Sequence, residues 1–360
     1  MPPFNWLGIV LPLCLLGACT QTPSLADSHS QNVSQNAPKN TVIPDQSAAQ
    51  NWYWSDRRPI GVMFLGNSPA YTPNNPRKWL NAKDLNLFTP AGRQEFRERM
   101  LGLARGSVKN MQAIHAQGVI VFDIEGIEIP DNRTWVGDPR LLKERAPEMD
   151  DIADEFFKTF RDAGLRVGVT IRAQYMFPYK APLPPQWWKT DKDTARYWSF
   201  KTQEDAVETI SKRIAYAKQR WGATLFYVDS NNEKWVDVIA QLQQRFPDSL
   251  IIPEHTANNP EYLKFSAPLE RVDSQKHELN QAYRSTNPDG FRAILIRDPK
   301  SFEKKYKISL YDYLLPKVQA GDVLMTNVWY PNPEHKTIQE LDHAVYGDRC
   351  CTWTANHRLF

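Results

Sequence analysis

One short stretch constrains the fold of this chain more than any other: residues 118–126, which read GVIVFDIEG. It lies between two amphipathic segments, and its apolar run ends abruptly in Asp123 and Glu125. A short run that is apolar on both faces predicts a buried parallel strand. Carboxylates at the end of such a strand are costly to bury unless they face a cavity or a partner.

The same pattern, an apolar run followed by polar or acidic residues and then by a helical segment, recurs along the chain. We predict eight strands, at residues 61–66, 118–122, 166–171, 224–228, 250–253, 262–267, 291–296 and 322–326. Helical periodicity predicts helices at residues 90–117, 147–163, 202–221, 234–246, 310–320 and 335–346. Eight alternating units predict a single-domain α/β fold, a (β/α)8 TIM barrel. The alternative is an open doubly wound sheet, whose usual glycine-rich turn after the first strand is absent here.

The N-terminus has the pattern of an export signal. Residues 6–18 are apolar and end in LLGA before Cys19, which resembles the bacterial lipobox. The resemblance implies that residues 1–18 are removed and that Cys19 is lipidated. The lipid would anchor the chain to a membrane of the bacterial cell envelope, and Thr20 in place of Asp favours the outer membrane. An ordinary cleaved signal or a membrane anchor is the alternative, although the apolar run is short for a spanning helix.

Residues 19–50 are rich in Ser, Gln, Asn, Asp and Pro and lack apolar periodicity. That composition predicts a disordered linker, with the barrel in residues 51–360. The chain has 44 basic and 41 acidic residues and no basic block, so we expect no nucleic-acid partner. It lacks a P-loop, a His-Glu-x-x-His motif and a Gly-x-Ser-x-Gly elbow, and we expect no cofactor and no metal.

In a barrel of this type, the C-terminal ends of the strands converge on one mouth. Polar and aromatic residues follow most of the predicted strands: Asp123, Glu125, Arg172, Asp229, Asn231, Glu254, His255, Asp298, Asn327 and Trp329. Carboxylates and amides hydrogen-bond hydroxyl groups, and Trp stacks on the apolar faces of sugar rings. The mouth therefore suits a carbohydrate. Hydrolysis of a glycosidic bond requires two carboxyl groups, which the rim contains.

Acids after the fourth, fifth and seventh strands give a layout that resembles the α-amylase-type glycoside hydrolases. The resemblance implies that Asp229 is the nucleophile, Glu254 the acid/base and Asp298 a group that stabilises the bound sugar. Two neighbouring positions depart from that family, because Tyr227 stands where it has Arg and Arg297 stands where it has His.

An Asp nucleophile after the fourth strand also resembles the α-galactosidase-type barrels, whose acid/base follows the sixth strand. That second resemblance implies Glu270 or Asp273 as the acid/base.

The sequence therefore predicts a lipid-anchored barrel that hydrolyses glycosidic bonds with retention, through Asp229 and Glu254. The remaining rim residues would bind the substrate. Two alternatives stay open. The barrel could bind glycans without catalysis, with its acids held by Arg partners. It could instead be a metal-dependent hydrolase whose hard cation is held by Asp123, Glu125, Asp229 and Glu254.

Overall fold

Eight parallel strands form one sheet in the computed structural model, in the order β5-β4-β3-β2-β1-β8-β7-β6. The structure describes residues 54–65, 72–126, 137–172, 202–229, 235–254, 259–272, 287 and 289–347. The strands are β1 Ile60–Phe64, β2 Gly118–Phe122, β3 Arg166–Arg172, β4 Leu225–Asp229, β5 Leu250–Pro253, β6 Leu269–Arg271, β7 Ala293–Leu295 and β8 Val323–Asn327. Because all pairs are parallel, every C-terminal strand end lies at the same end of the sheet.

The two edges of this order, β5 and β6, lie next to each other and nearly close the sheet into a barrel. The backbone N–H of Ala267 donates to the carbonyl of Ile251 over 3.1 Å. At the C-terminal end of this seam, Glu254 after β5 forms an ion pair with Arg271 of β6. The predicted (β/α)8 barrel is therefore confirmed.

The predicted position of the sixth strand is wrong. Residues 262–267 were expected to form it, but Pro260–Lys264 is a 3₁₀ helix and β6 follows at Leu269–Arg271. The side chain of Asn259 accepts from the N–H of Glu261, and Pro260 occupies the first helical position, so local capping favours the helical turn. The other seven strands lie within two residues of their predicted ends.

Helices connect the strands and cover the outside of the barrel. They are α1 Pro90–Ala113, α2 Leu142–Arg145, α3 Pro147–Asp162, α4 Gln203–Trp221, α5 Val236–Arg245, α6 Pro299–Tyr306, α7 Leu310–Gln319 and α8 Pro333–Tyr346. The short helices α2 and α6 were not predicted, and α1 ends four residues before its predicted end. Of the helices in the described part of the chain, none has the length and apolarity needed to cross a membrane.

Alternate residues of six strands, β1, β2, β4, β5, β7 and β8, enter two separate hydrophobic cores, as expected for a barrel covered by helices. The outer core lies between strands and helices and includes Phe156, Phe157 and Phe160 of α3. The inner core is formed by axis-facing side chains, among them Val62, Ile120, Tyr227, Ile252, Leu269, Leu295 and Met325.

The N-terminal end of the barrel is closed by the segment that precedes β1. Trp54 belongs to the inner core, and its Nε1 donates to Oε1 of Gln117 over 3.0 Å. The guanidinium of Arg166, the first residue of β3, lies 5.1 Å from the centre of the same ring.

Towards the opposite end, three aromatic rings pack on one another inside the barrel. The ring centroids of Phe64 and Phe122 are 4.4 Å apart, and those of Phe122 and Tyr227 are 4.8 Å apart. These rings form a floor beneath the C-terminal mouth.

Candidate active site

Arg172, the last residue of β3, joins two carboxylates at the mouth. Its Nη1 donates to Oδ1 of Asp123 over 2.6 Å. Its Nε and Nη2 contact Oδ2 of Asp229 at 2.8 and 2.7 Å. Burial lowers the pKa of Arg172, but the two carboxylates outweigh it and leave the pKa above its ordinary value. One charged guanidinium therefore holds the acids that end β2 and β4.

The backbone at Asp123 departs from the strand. Its φ is +53°, and the N–H of Gly126 donates to its carbonyl over 2.8 Å, which makes a tight turn. Ile120 and Phe122 face the axis, so regular strand alternation would direct both Asp123 and Glu125 to the helix side. Because the turn ends the alternation, both carboxyl groups interact electrostatically with Arg172.

Glu125 is a buried carboxyl group with an unusual protonation equilibrium. Burial raises its pKa to about 7, and the charge of Asp123 adds to this effect, while its own backbone N–H and Arg172 oppose it. Its Oε1 is buried and has no hydrogen-bond partner among the described residues. The surroundings of Arg172 therefore combine two ion-paired carboxylates with one carboxyl that holds its proton up to neutral pH.

The main chain of Arg172 is fixed from behind by groups that sequence reasoning missed. Its N–H donates to the carbonyl of Gly137 over 3.1 Å, and its carbonyl accepts from Nη1 of the buried Arg213. Arg213 in turn pairs with Asp138 at 3.2 Å. A Cβ added to Gly137 would lie 2.4 Å from the Arg172 nitrogen and 2.6 Å from its Cβ. None of these three residues ends a strand, so the search for strand-end residues could not find them.

Glu254 lies at the mouth as predicted but does not pair with Arg172. It is 4% exposed and forms its ion pair with Arg271 across the β5–β6 seam. Because the sixth strand was predicted at residues 262–267, the sequence did not identify Arg271 as a residue that ends a strand.

Tyr227 lies among charges from several strands. Burial and the charge of Asp229 raise the pKa of its phenol well above the usual value, while Arg271, Arg172 and Arg297 oppose the shift. The phenol therefore stays neutral at physiological pH.

Three other predicted binding residues have structural contacts of their own. Asp298 is exposed and caps α6, because its side chain accepts from the N–H of Ser301 over 3.2 Å. Oδ1 of Asn327 accepts from the N–H of Trp329 over 2.9 Å. Trp329 packs partly buried against the outer core. Their contacts with a substrate remain predictions.

Several predicted residues lie outside the described part of the chain: Cys19, Asn231, His255 and Asp273. Glu270, which the α-galactosidase resemblance implied as acid/base, faces the helices instead of the axis. It is bound by Lys317 at 2.7 Å, Tyr313 at 2.7 Å and Arg292 at 3.2 Å.

No group of three or more His, Cys, Asp or Glu side chains is placed to hold a metal ion in the described residues. The carboxylates of the mouth are separated instead by arginine side chains.

No protein-family model matches the chain, and no curated protein matches its sequence. Solved structures of α-L-fucosidases show a distant likeness in fold. Isoenzyme 1 from Paenibacillus thiaminolyticus is 13% identical, with 80% of this chain and 73% of that chain covered and a TM-score of 0.44. The enzyme from Thermotoga maritima is 11% identical, with 83% and 74% covered and a TM-score of 0.43. AlfC from Lactobacillus casei is 13% identical, with 81% and 95% covered and a TM-score of 0.41. A likeness of this extent identifies neither a family nor a substrate for this chain.

Proposed function

We propose that the barrel hydrolyses glycosidic bonds, with Asp229 as the nucleophile and Glu125 as the proton donor. The observation that carries this proposal is the arrangement around Arg172. It binds Asp229 and Asp123 at the mouth, while Glu125 lies buried beside them with an unpartnered Oε1 in the described structure. A proton donor must be protonated and a nucleophile must be ionised, so the two carboxyl groups need different environments.

The reaction would proceed in two steps. An oxygen of Asp229 attacks the anomeric carbon as the glycosidic C–O bond breaks, and the leaving oxygen takes the proton of Glu125. Water then loses a proton to the Glu125 carboxylate and attacks the same carbon, which releases Asp229. This double displacement retains the anomeric configuration and requires the two carboxyl groups to be about 5–5.5 Å apart.

Glu254 is the donor that the sequence predicted, and it stays as the rival to Glu125. A donor must hold a proton when the bond breaks, whereas Glu254 is bound to Arg271 in an ion pair. We therefore assign proton donation to Glu125. Glu254 would stabilise the seam and bind substrate hydroxyl groups.

A screen of the purified chain against aryl glycosides and polysaccharides tests the proposal. We expect turnover that disappears in Asp229→Asn and falls by about 10²–10⁴-fold in Glu125→Gln, the range for loss of a general acid. Asp248→Asn, at an exposed carboxylate paired with Lys218, is the matched control and should be as active as the original chain. A larger loss in Glu254→Gln than in Glu125→Gln would move the donor role to Glu254.

A glycan-binding barrel without catalysis is the second candidate, and one observation favours it. Arginine side chains bind all three of Asp123, Asp229 and Glu254, as such a protein would need. In that case Asp229→Asn would leave glycan binding intact, and no glycoside in the screen would be turned over.

We further propose that the chain is a lipoprotein of the bacterial cell envelope, anchored through Cys19. The support is the apolar segment followed by LLGAC in the sequence. Labelling of cells with an alkyne fatty acid should tag the original chain and leave Cys19→Ser untagged. Equal labelling of both would contradict the assignment.

A further inference from the structure

Among the described residues, the mouth has one acidic side and one side that carries two arginines. Asp123, Glu125 and Asp229, from the ends of β2 and β4, lie around Arg172. On the other side, Arg271 of β6 and Arg297 after β7 accompany the described carboxylates of Glu254 and Asp298. In an eight-stranded barrel, β3 and β7 lie on opposite sides of the axis.

The alternation of β7 directs Arg297 towards the axis. Leu295 belongs to the inner core and Ile296 to the outer core. The N–H of Ile296 donates to the carbonyl of Met325 over 2.8 Å, so the extended pairing with β8 continues past the end of β7. The next side chain, that of Arg297, therefore leaves on the inner side. Its charge interacts with Tyr227, which lies in the inner core.

Arg271 lies on the same wall, one level deeper. It pairs with Leu295 in the register of β6 and β7, and Leu269, two residues before it, is an inner-core residue. The Arg271 guanidinium thus lies nearer to the aromatic floor, and the Arg297 guanidinium lies nearer to the rim of the same side.

Among the described cations on this side of the mouth, Arg297 is the one available to a ligand. Arg172 pairs with two carboxylates and Arg271 pairs with Glu254, whereas Arg297 is exposed and forms no ion pair with a described residue. The neighbouring carboxylate of Asp298 caps α6. A guanidinium presents a planar fork that matches carboxylate and sulfate oxygens, and a cleft of low dielectric concentrates its field.

We propose that the sugar bound in this mouth is anionic, and that Arg297 binds its carboxylate or sulfate group while the reacting bond lies on the acidic side. The carbohydrate part of this inference rests on the proposed function. The charge of the ligand rests on the placement of Arg297 and Arg271.

Binding to matched pairs of sugars tests the inference. Calorimetry on the full chain would measure the affinities for glucuronic acid and glucose, and for galacturonic acid and galactose. It would also compare the 6-sulfates of glucose and galactose with the parent sugars. At least one anionic member should bind about tenfold or more tightly than its neutral partner, as expected for one charge-assisted contact. Which anion is preferred, uronate or sulfate, identifies the source of the charge.

In Arg297→Gln the ratio of anionic to neutral affinity should fall towards one. Arg297→Lys keeps the positive charge but loses the planar guanidinium, so it should retain part of the preference for anionic sugars. Lys300→Gln, at an exposed cation of α6, is the matched control and should keep the full ratio. Thermal melting of each variant checks the fold.

Three results would overturn the inference: equal binding of anionic and neutral partners, a preference that persists in Arg297→Gln, or no binding of any panel sugar. Turnover of neutral glycosides that depends on Asp229, without a preference for anions, would contradict this inference alone. An anionic preference lost in Arg297→Gln, without any turnover, would support it while contradicting the glycosidase.

Discussion

At the scale of single residues, environment separates carboxyl groups of the same chemistry. Asp123 and Asp229 share one guanidinium, that of Arg172. Glu125, two residues from Asp123, is buried with an unpartnered oxygen in the described structure and has a pKa raised to about 7. The sequence showed which acids end strands, but the protonation of Glu125 depends on its burial and on neighbours that only folding brings close.

The raised pKa of Glu125 makes stability depend on pH. The folded protein holds this proton up to about pH 7, whereas the unfolded chain loses it near 4.5. The folded state therefore binds more protons between these values, and the free energy of unfolding falls as pH rises from 4.5 to 7. Above pH 7 the total decrease in the free energy of unfolding is on the order of 3 kcal/mol.

Urea unfolding at pH 5 and pH 8 measures this effect. Glu125→Gln should remove most of the decrease in stability between the two pH values. Glu98→Gln, at an exposed position of α1, should leave the decrease unchanged. An unaltered pH dependence in Glu125→Gln would show that this carboxyl titrates normally.

At the scale of elements, strand ends carry the site, and segments behind the strands fix it. Seven strands could be predicted because each is a short run made mainly of apolar residues. The sixth could not, since Leu269–Arg271 contains two charged residues whose partners, Lys317 and Glu254 among them, come from distant elements. For the same reason Arg172 was predicted as a rim residue, while Gly137, Asp138 and Arg213 were not.

Gly137 is the most sensitive of these supporting positions. A Cβ there would lie 2.4 Å from the Arg172 nitrogen, so Gly137→Ala should displace Arg172 and reduce turnover or sugar binding. Gly164→Ala is a matched control, because Gly164 also has positive φ, at +75°, but its Cβ would meet nothing within 4 Å. Both variants should lose roughly 1 kcal/mol from the backbone strain. Equal functional loss in the two would argue against a positioning role for Gly137.

At the scale of the whole molecule, closure of the barrel is the property that assembles the site. The β5–β6 seam has one described backbone hydrogen bond, from Ala267 to Ile251, and the Glu254–Arg271 ion pair. The repeated strand and helix pattern was sufficient to predict a barrel. It could not predict which charges would meet across the seam, since that depends on the register of β6.

The N-terminal closure of the barrel gives a prediction for the whole fold. Trp54 is 8% exposed and lies in the inner core, so Trp54→Ala should lower the free energy of unfolding by about 3–5 kcal/mol. Phe88→Ala, at an aromatic residue that is 69% exposed, should change it little. Denaturant titration of both variants provides the comparison. A small loss in Trp54→Ala would mean that the segment before β1 is dispensable.

The most direct test of the central claim is to trap the intermediate on Asp229. An activated 2-deoxy-2-fluoro glycoside of the sugar that the screen identifies would be incubated with the chain. Intact mass and peptide mapping would then locate the label. The account predicts one bound sugar, attached to the peptide that contains Asp229, with loss of activity in parallel. A label on another carboxylate, or turnover of the parent glycoside without any labelling, would contradict Asp229 as the nucleophile.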